Sequence, residues 1–182
     1  MTLSVRFIPV AFMVSLASSA TLAQTASAPA ITDAQIAQIV VTANSIDIGN
    51  GKIALRQSKN ASVEEFAKLM IKDHTAVNTS AVALVTRLGV VPADSDTNKS
   101  LKSAAETEQA KLRTLEGAPF DREYLQNEVA YHQQVLDALN TVLIPNAQNA
   151  ELKKTLVDVV PAFKAHLDHA GKALAGLPAK SP

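Results

Sequence analysis

The sequence predicts an all-α fold: an antiparallel four-helix bundle with a long crossover that carries a short extra helix. Three observations predict it. Apolar residues recur at alternating three- and four-residue steps, and no segment keeps a clean period of two. Capping signals open two of the apolar stripes, while Gly89 closes one and Pro145 another. Four stripes of about 25 residues each are long enough to bury one another's apolar faces, which is the geometry of a bundle.

Residues 1–23 read as a signal peptide rather than as structure. Met1 to Arg6 carries the only early positive charge, and an apolar run from Phe7 to Leu16 follows. Thr21 and Ala23 then occupy the −3 and −1 positions of an expected cut before Gln24. The run is about half of the roughly 20 residues that a membrane span needs, which favours a cleaved signal over an anchor. Residues 24–31 are small and unpatterned and read as a flexible lead. No transmembrane anchor is expected after cleavage, and the periplasm or outer envelope is the expected location.

The bundle is expected over residues 32–175. Helix one spans about Asp33 to Gln57, opened by a capping box of Thr32 with Gln35. Its stripe is Ile36, Val40, Ala43, Asp47 and Ala54. Gly49 and Gly51 lie inside it at about 1 kcal/mol each relative to Ala, which calls for close approach of a neighbour or a local bend. Helix two is expected to open on a second box, Ser62 with Glu65, and to end at a left-handed Gly89. Its stripe is Val63, Phe66, Met70, His74, Val77, Ala81, Leu84 and Leu88. Val90 to Thr97 is a loop, and a short, largely polar helix follows from about Asn98 to Leu115 until Glu116-Gly-Ala-Pro119 breaks it. Helix three, from about Phe120 to Ile144, is striped by Leu125, Val129, His132, Leu136, Leu139 and Leu143 and ends at Pro145-Asn146. Helix four, from about Ala150 to Leu174, carries Leu152, Leu156, Val159, Phe163, His166 and Ala170, with a kink expected at Pro161. Residues 176–182 read as a frayed tail.

Composition narrows function by exclusion. The 182 residues carry 17 Lys+Arg against 17 Asp+Glu, so no electrostatic footprint for nucleic acid and no polybasic membrane patch is present. The absence of Cys rules out disulfides, thiol catalysis, thiolate metal sites and thioether haem attachment. Such a length makes one domain with a proper core. No nucleophile–base pair can be named, because every Ser and Thr falls in a cap, a loop or a helix surface. Catalytic residues are therefore not assigned, and the reading leans away from an enzyme.

The informative feature is buried polarity. Asp47, His74, His132 and His166 each interrupt an apolar stripe where an aliphatic residue would be expected. If helices one and four run up, two and three run down, and residues 90–119 cross back, all four fall about 9 to 12 residues from one end, or roughly 14 to 18 Å deep. Ferritin-like bundles use such a crossover. Three imidazoles and a carboxylate converging in an apolar bundle suit one divalent transition metal: zinc, copper, nickel or iron. Met70, one turn before His74, would lean the choice toward copper if its thioether took part. The alternative is a hydrogen-bonded His/Asp network that fixes helix register without metal, and an organic ligand is the third reading.

Other residues are weaker candidates. Ferritin-like di-iron sites want four Glu and two Glu-x-x-His pairs; no Glu-x-x-His exists here, and the nearest carboxylate to His132 is Glu128, four residues earlier. Asp73 is a candidate to orient His74, and Asn78 a candidate donor to it. His169 drifts off the stripe toward solvent, and Tyr124 and Tyr131 read as packing residues with the hydroxyl at the rim.

Several segments together resemble a known family. Phe66-Ala-Lys-Leu-Met-Ile-Lys-Asp-His74-Thr-Ala-Val-Asn78 is similar to the signature of an exported bacterial family, domain of unknown function 4142. Asp47-Ile-Gly-Asn-Gly51-Lys-Ile-Ala54, Phe120-Asp-Arg-Glu-Tyr124 with His132, and Pro161-Ala-Phe-Lys-Ala-His166-Leu agree with it in order and spacing. The resemblance implies a ferritin-like bundle exported to the periplasm or outer envelope and assigns no activity. The family more often has Glu where this chain has Asp47.

Three functions remain open at this stage. The first is an exported bundle holding one metal ion, in metal buffering or envelope stress tolerance. The second is a structural or interaction protein whose partners the sequence does not name. The third is a metalloenzyme with an open coordination position.

Overall fold

The computed structural model describes residues 31–178. The expected signal peptide, residues 24–30 of the lead and residues 179–182 of the tail lie outside them. The described residues form α1 (Asp33–Gln57), α2 (Ala61–Arg87), α3 (Asp96–Leu112), α4 (Gly117–Ala138), a π turn (Leu139–Leu143), α5 (Ile144–Asn146) and α6 (Ala150–Ala175). None of these helices is long and apolar enough to cross a membrane.

Local signals account for the helix ends. The Thr32 hydroxyl accepts from the Gln35 N–H, and the Gln35 side chain accepts from the Thr32 N–H, so the expected box opens α1. The second expected box is corrected: Asn60 caps α2 by accepting from the Ser62 N–H at 3.0 Å. Asn60 intercepts the chain two residues before Ser62, and the Ser62 hydroxyl itself donates to it. At the other end, Gly89 takes φ +66°, with its N–H on the Thr86 carbonyl and the Val90 N–H on the Val85 carbonyl. That double bond is the Schellman closure, and it satisfies carbonyls the helix would otherwise leave open.

Two other boundaries move. α3 begins at Asp96, because the Ser95 hydroxyl accepts from the Asn98 N–H. α4 begins at Gly117, with Pro119 in its first turn, where a missing N–H costs nothing. The expected end at Pro145-Asn146 is met, but by way of an unexpected π turn. A π turn, in which the Ile144 N–H reaches the Leu139 carbonyl, shifts the hydrogen-bond register just before Pro145, so the helical path runs on to Asn146. In α6, Pro161 lies inside an unbroken helix on the exposed side, and the carbonyl it leaves unpaired belongs to Val157, itself exposed.

Contacts at the ends establish the path of the chain. Asp33 at the start of α1 accepts from the Gln148 and Asn149 N–H groups just before α6, and Arg87 at the end of α2 pairs with Glu151 at the start of α6. At the opposite end, Gln57 donates to the Arg113 carbonyl after α3, and the Ser58 hydroxyl donates to Asp121 in α4. α1 and α6 therefore run one way and α2 and α4 the other, while α3 crosses back along α1. This is the ferritin-like antiparallel arrangement with a long crossover. Beyond Ala175, Leu177 packs on the core and the Pro178 carbonyl accepts from Arg122, so the first residues of the expected tail are held.

The core divides into two apolar clusters. One, at the end where α1 finishes, contains Ile53, Phe66, Met70, Leu112, Phe120 and Leu125. The other, where α1 starts, contains Ile36, Leu84, Leu139, Leu143, Leu152 and Leu156. Between them, at mid-bundle, all four long helices contribute buried polar side chains. Gly51 makes the α1–α2 contact tight here: a Cβ on it would lie 2.9 Å from Ile71 Cγ1 and 3.0 Å from the Ala67 carbonyl oxygen. The glycine's propensity cost is thus offset by close helix approach, as the sequence suggests.

Candidate metal centre

Each helix delivers its polar residue at the point where its apolar stripe crosses the bundle centre. His74 of α2, His132 of α4 and His166 of α6 are 1%, 0% and 5% exposed. Their ring centroids form a nearly equilateral triangle of 5.6 Å (74–132), 5.3 Å (74–166) and 5.5 Å (132–166). One ligand nitrogen from each ring lies within 4.8 Å of the others. Phe163, one turn before His166, closes one side of the triangle, its ring 5.2 Å from His74 and 5.8 Å from His132.

Every ring has one nitrogen engaged and one free. His74 Nδ1 lies 2.7 Å from Asn44 Oδ1, His132 Nδ1 lies 3.0 Å from the Glu128 carbonyl, and His166 Nε2 lies 3.0 Å from Asp73 Oδ2. All three partners are acceptors, so in the neutral ring each engaged nitrogen carries the proton and the other keeps its lone pair. Those other atoms, His74 Nε2, His132 Nε2 and His166 Nδ1, are buried without a hydrogen-bond partner. An outer acceptor that sets the tautomer of an inner, lone-pair nitrogen is the arrangement of metal-ligating histidine.

Asp47 stands beside this triangle. It is 1% exposed, and Oδ2 lies 3.5 Å from His74 Nδ1, the ring's engaged nitrogen. Asp47, Glu128 and His132 make a second group with ligand atoms within 4.8 Å of one another. None of the four carboxylate oxygens of Asp47 and Glu128 has a hydrogen-bond partner. The buried Tyr124 hydroxyl also lacks one, which corrects its expected position at the rim. Tyr131, by contrast, donates to the Ala43 carbonyl at 3.1 Å.

Burial dominates the electrostatics. It pushes His74 down to about 3, helped by the His132 and His166 rings. It also pushes His132 down to about 4, although the Glu128 carbonyl works the other way. Glu128 is pushed up to about 8 by burial, and Asp47 well above the usual carboxylate range by burial and then by Glu128. At neutral pH the His74 and His132 rings are therefore neutral, beside a carboxyl pair that burial holds towards its protonated form.

Several residues the sequence singled out play other parts. Asp73 holds His166 rather than its neighbour His74. Asn78 donates to the Ser45 hydroxyl and the Val41 carbonyl. His169 packs edge-on against Phe66, outside the triangle. Met70 belongs to the apolar cluster around Phe66. The sequence reading missed Asn44, and it named Glu128 only as the carboxylate nearest His132, without placing it at the centre. A signal existed for Glu128, since Tyr124, Glu128 and His132 repeat every four residues along one helix face.

Comparisons with known proteins agree with this architecture. The family described as domain of unknown function DUF4142 matches residues 17–173, and the chain belongs to that family. A Streptomyces coelicolor protein described as secreted, with a DUF305 domain, superposes with a TM-score of 0.68 at 14% identity, covering 81% of this chain and 94% of its own. CopM in its Cu(II)-bound form superposes with a TM-score of 0.62 at 16% identity, covering 81% of this chain and 100% of its own. At those identities the likeness is one of fold. No curated protein matches the chain in sequence.

Proposed function

We propose that this member of the DUF4142 family is an exported metal-binding bundle that holds one divalent transition metal through His74, His132 and His166. One observation carries the reading: three buried imidazole nitrogens, each with its tautomer set from outside, have no partner in the protein. Leaving buried acceptors unmatched costs about 1–3 kcal/mol each, and a metal ion would satisfy all three at once. A three-nitrogen set suits copper, zinc, nickel or iron, and the divalent series places Cu(II) as the tightest binder. The Cu(II)-bound neighbour of the same fold makes copper the first ion to test.

Asp47 and Glu128 supply the charge such an ion needs in an apolar interior. Held protonated, they leave the metal-free core close to neutral; ionised beside a divalent cation, they offset its charge, so binding releases protons. A register-fixing polar network is the competing reading. It is disfavoured because such networks stabilise only when every member is satisfied, and here the inner atoms are the unsatisfied ones. The secreted neighbour and the amino-terminal pattern both support export.

Elemental analysis of the chain purified without chelator is the test. One equivalent of metal, lost in His132→Ala with the helical spectrum retained, supports the reading. A chain that arrives without metal and takes up none of the four ions on titration sinks it.

A further inference from the structure

We propose that the bundle carries a second, separate ligand site: the apolar cavity below the histidine triangle binds one neutral, elongated molecule of about a dozen heavy atoms. The cavity measures about 330 Å³. Its wall includes Ile39 and Ala43 of α1, Ala138 of α4, Leu143 at the end of the π turn, and Val159 and Phe163 of α6. An apolar cavity of about 150 Å³ holds one benzene, so this volume admits roughly twice as many atoms. Along α6 the wall runs from Thr155 to Phe163, a length of roughly 12 Å at 1.5 Å per residue, which makes the space a slot along the bundle axis.

Water is a poor occupant, because the polar side chains of the inner wall are already engaged. Asn44 Oδ1 faces His74 and its amide nitrogen donates to the Val40 carbonyl; the Tyr131 hydroxyl donates to the Ala43 carbonyl, and the Thr155 hydroxyl to the Glu151 carbonyl. A buried water wants two to four partners, and this wall offers almost none. The exposed residues Thr97 and Ala104 of α3 and Gln134 of α4 mark the mouth, and Leu101 of α3 roofs the slot. The π turn supports a ligand site independently. Its first and last residues, Leu139 and Leu143, both face the cavity, and such inserted turns recur at functional sites because they widen a helix locally.

The probe is 1-decanol, titrated calorimetrically into the metal-free full-length chain, so that the result is independent of metal binding. Saturable binding of one decanol is expected, with 1,10-decanediol at least tenfold weaker because its second hydroxyl finds no free partner. Ala138→Phe and Ala43→Phe fill the slot from opposite walls, and each should abolish decanol binding while keeping the helical spectrum. Should one filler fail to fold, the other decides. Absence of saturable binding to the natural chain, equal binding of the diol, or binding that survives in a folded filler overturns the proposal.

Discussion

Asn44 and His74 meet across the α1–α2 interface with Oδ1 2.7 Å from Nδ1. The Asn44 amide nitrogen donates to the Val40 carbonyl at 2.8 Å, so the amide has one orientation and presents its oxygen to the ring. His74 must then donate from Nδ1, which leaves Nε2 as the lone-pair atom. A side chain from one helix thereby sets the tautomer of a proposed ligand on the next. The expected consequence is that Asn44→Ala weakens metal binding by about 10–100-fold without removing a ligand. Asp73→Ala should act alike through His166, from a more exposed position. Competition titration against a chromophoric chelator measures both, and unchanged affinity in the two variants would separate these contacts from metal binding.

The metal-free chain should be most stable in mildly acidic solution. His74 and His132 have folded values of about 3 and about 4 against 6.5 for an unperturbed ring. The unfolded chain thus takes up protons below pH 6.5 that the folded chain refuses, and stability is lost as pH falls from there towards 3. Glu128 acts in the opposite sense. Its folded value of about 8 against 4.5 means that stability is complete below pH 4.5 and lost as pH rises through 8. The two effects oppose each other between pH 4.5 and 6.5, and each arm beyond that window is worth on the order of a few kcal/mol. Urea midpoints from pH 3 to 9 should trace a dome; a flat profile would contradict the burial of these groups.

Glu128→Gln keeps the shape of the side chain and removes its ionisation. Relative to the natural chain it should leave stability nearly unchanged at pH 4.5 and raise it by a few kcal/mol at pH 9, because the buried carboxylate no longer has to form. Metal binding at pH 7 should release one proton fewer. Calorimetry in buffers of different ionisation enthalpy counts that proton, and an unchanged count would show that Glu128 stays protonated beside the ion.

Gly49 and Gly51 should respond differently to alanine although they share a helix. At Gly51 the new Cβ meets the Ala67 carbonyl at 3.0 Å and Ile71 Cγ1 at 2.9 Å, and backbone cannot yield. Gly51→Ala should cost about 1–3 kcal/mol despite its better helix propensity. At Gly49 the obstacle is the Gln109 amide nitrogen at 2.7 Å, the end of a flexible side chain that can swing aside at the loss of its bond to Asn50. Gly49→Ala should be within about 1 kcal/mol of neutral. Thermal midpoints of the two variants test the difference.

The helices were legible because their causes are local. The Thr32 box, the left-handed Gly89 and the spacing of Phe66, Met70 and His74 each depend on residues within a turn or two, and the chain states them directly. Errors came where two local signals competed. Asn60 outbid Ser62 for the cap of α2, and the π turn before Pro145 was not expected. Neither outcome follows from composition, since both depend on which hydrogen bond closes first.

By itself the sequence determined the helices, their order and the residues that break their apolar stripes, because periodicity is a property of one chain segment. The crossover placed those residues at one depth by counting, so the meeting of His74, His132 and His166 was legible as well. Only the tertiary structure decided what surrounds them. It put Asn44 on His74 and Asp73 on His166, set Glu128 beside Asp47, and left a slot beneath Phe163. The physical reason is rotation about the helix axis. Each residue turns a side chain by about 100°, so a few tens of degrees in how two helices face each other decide whether a carboxylate meets a ring or solvent. Interhelical packing settles that angle, and no single segment encodes it.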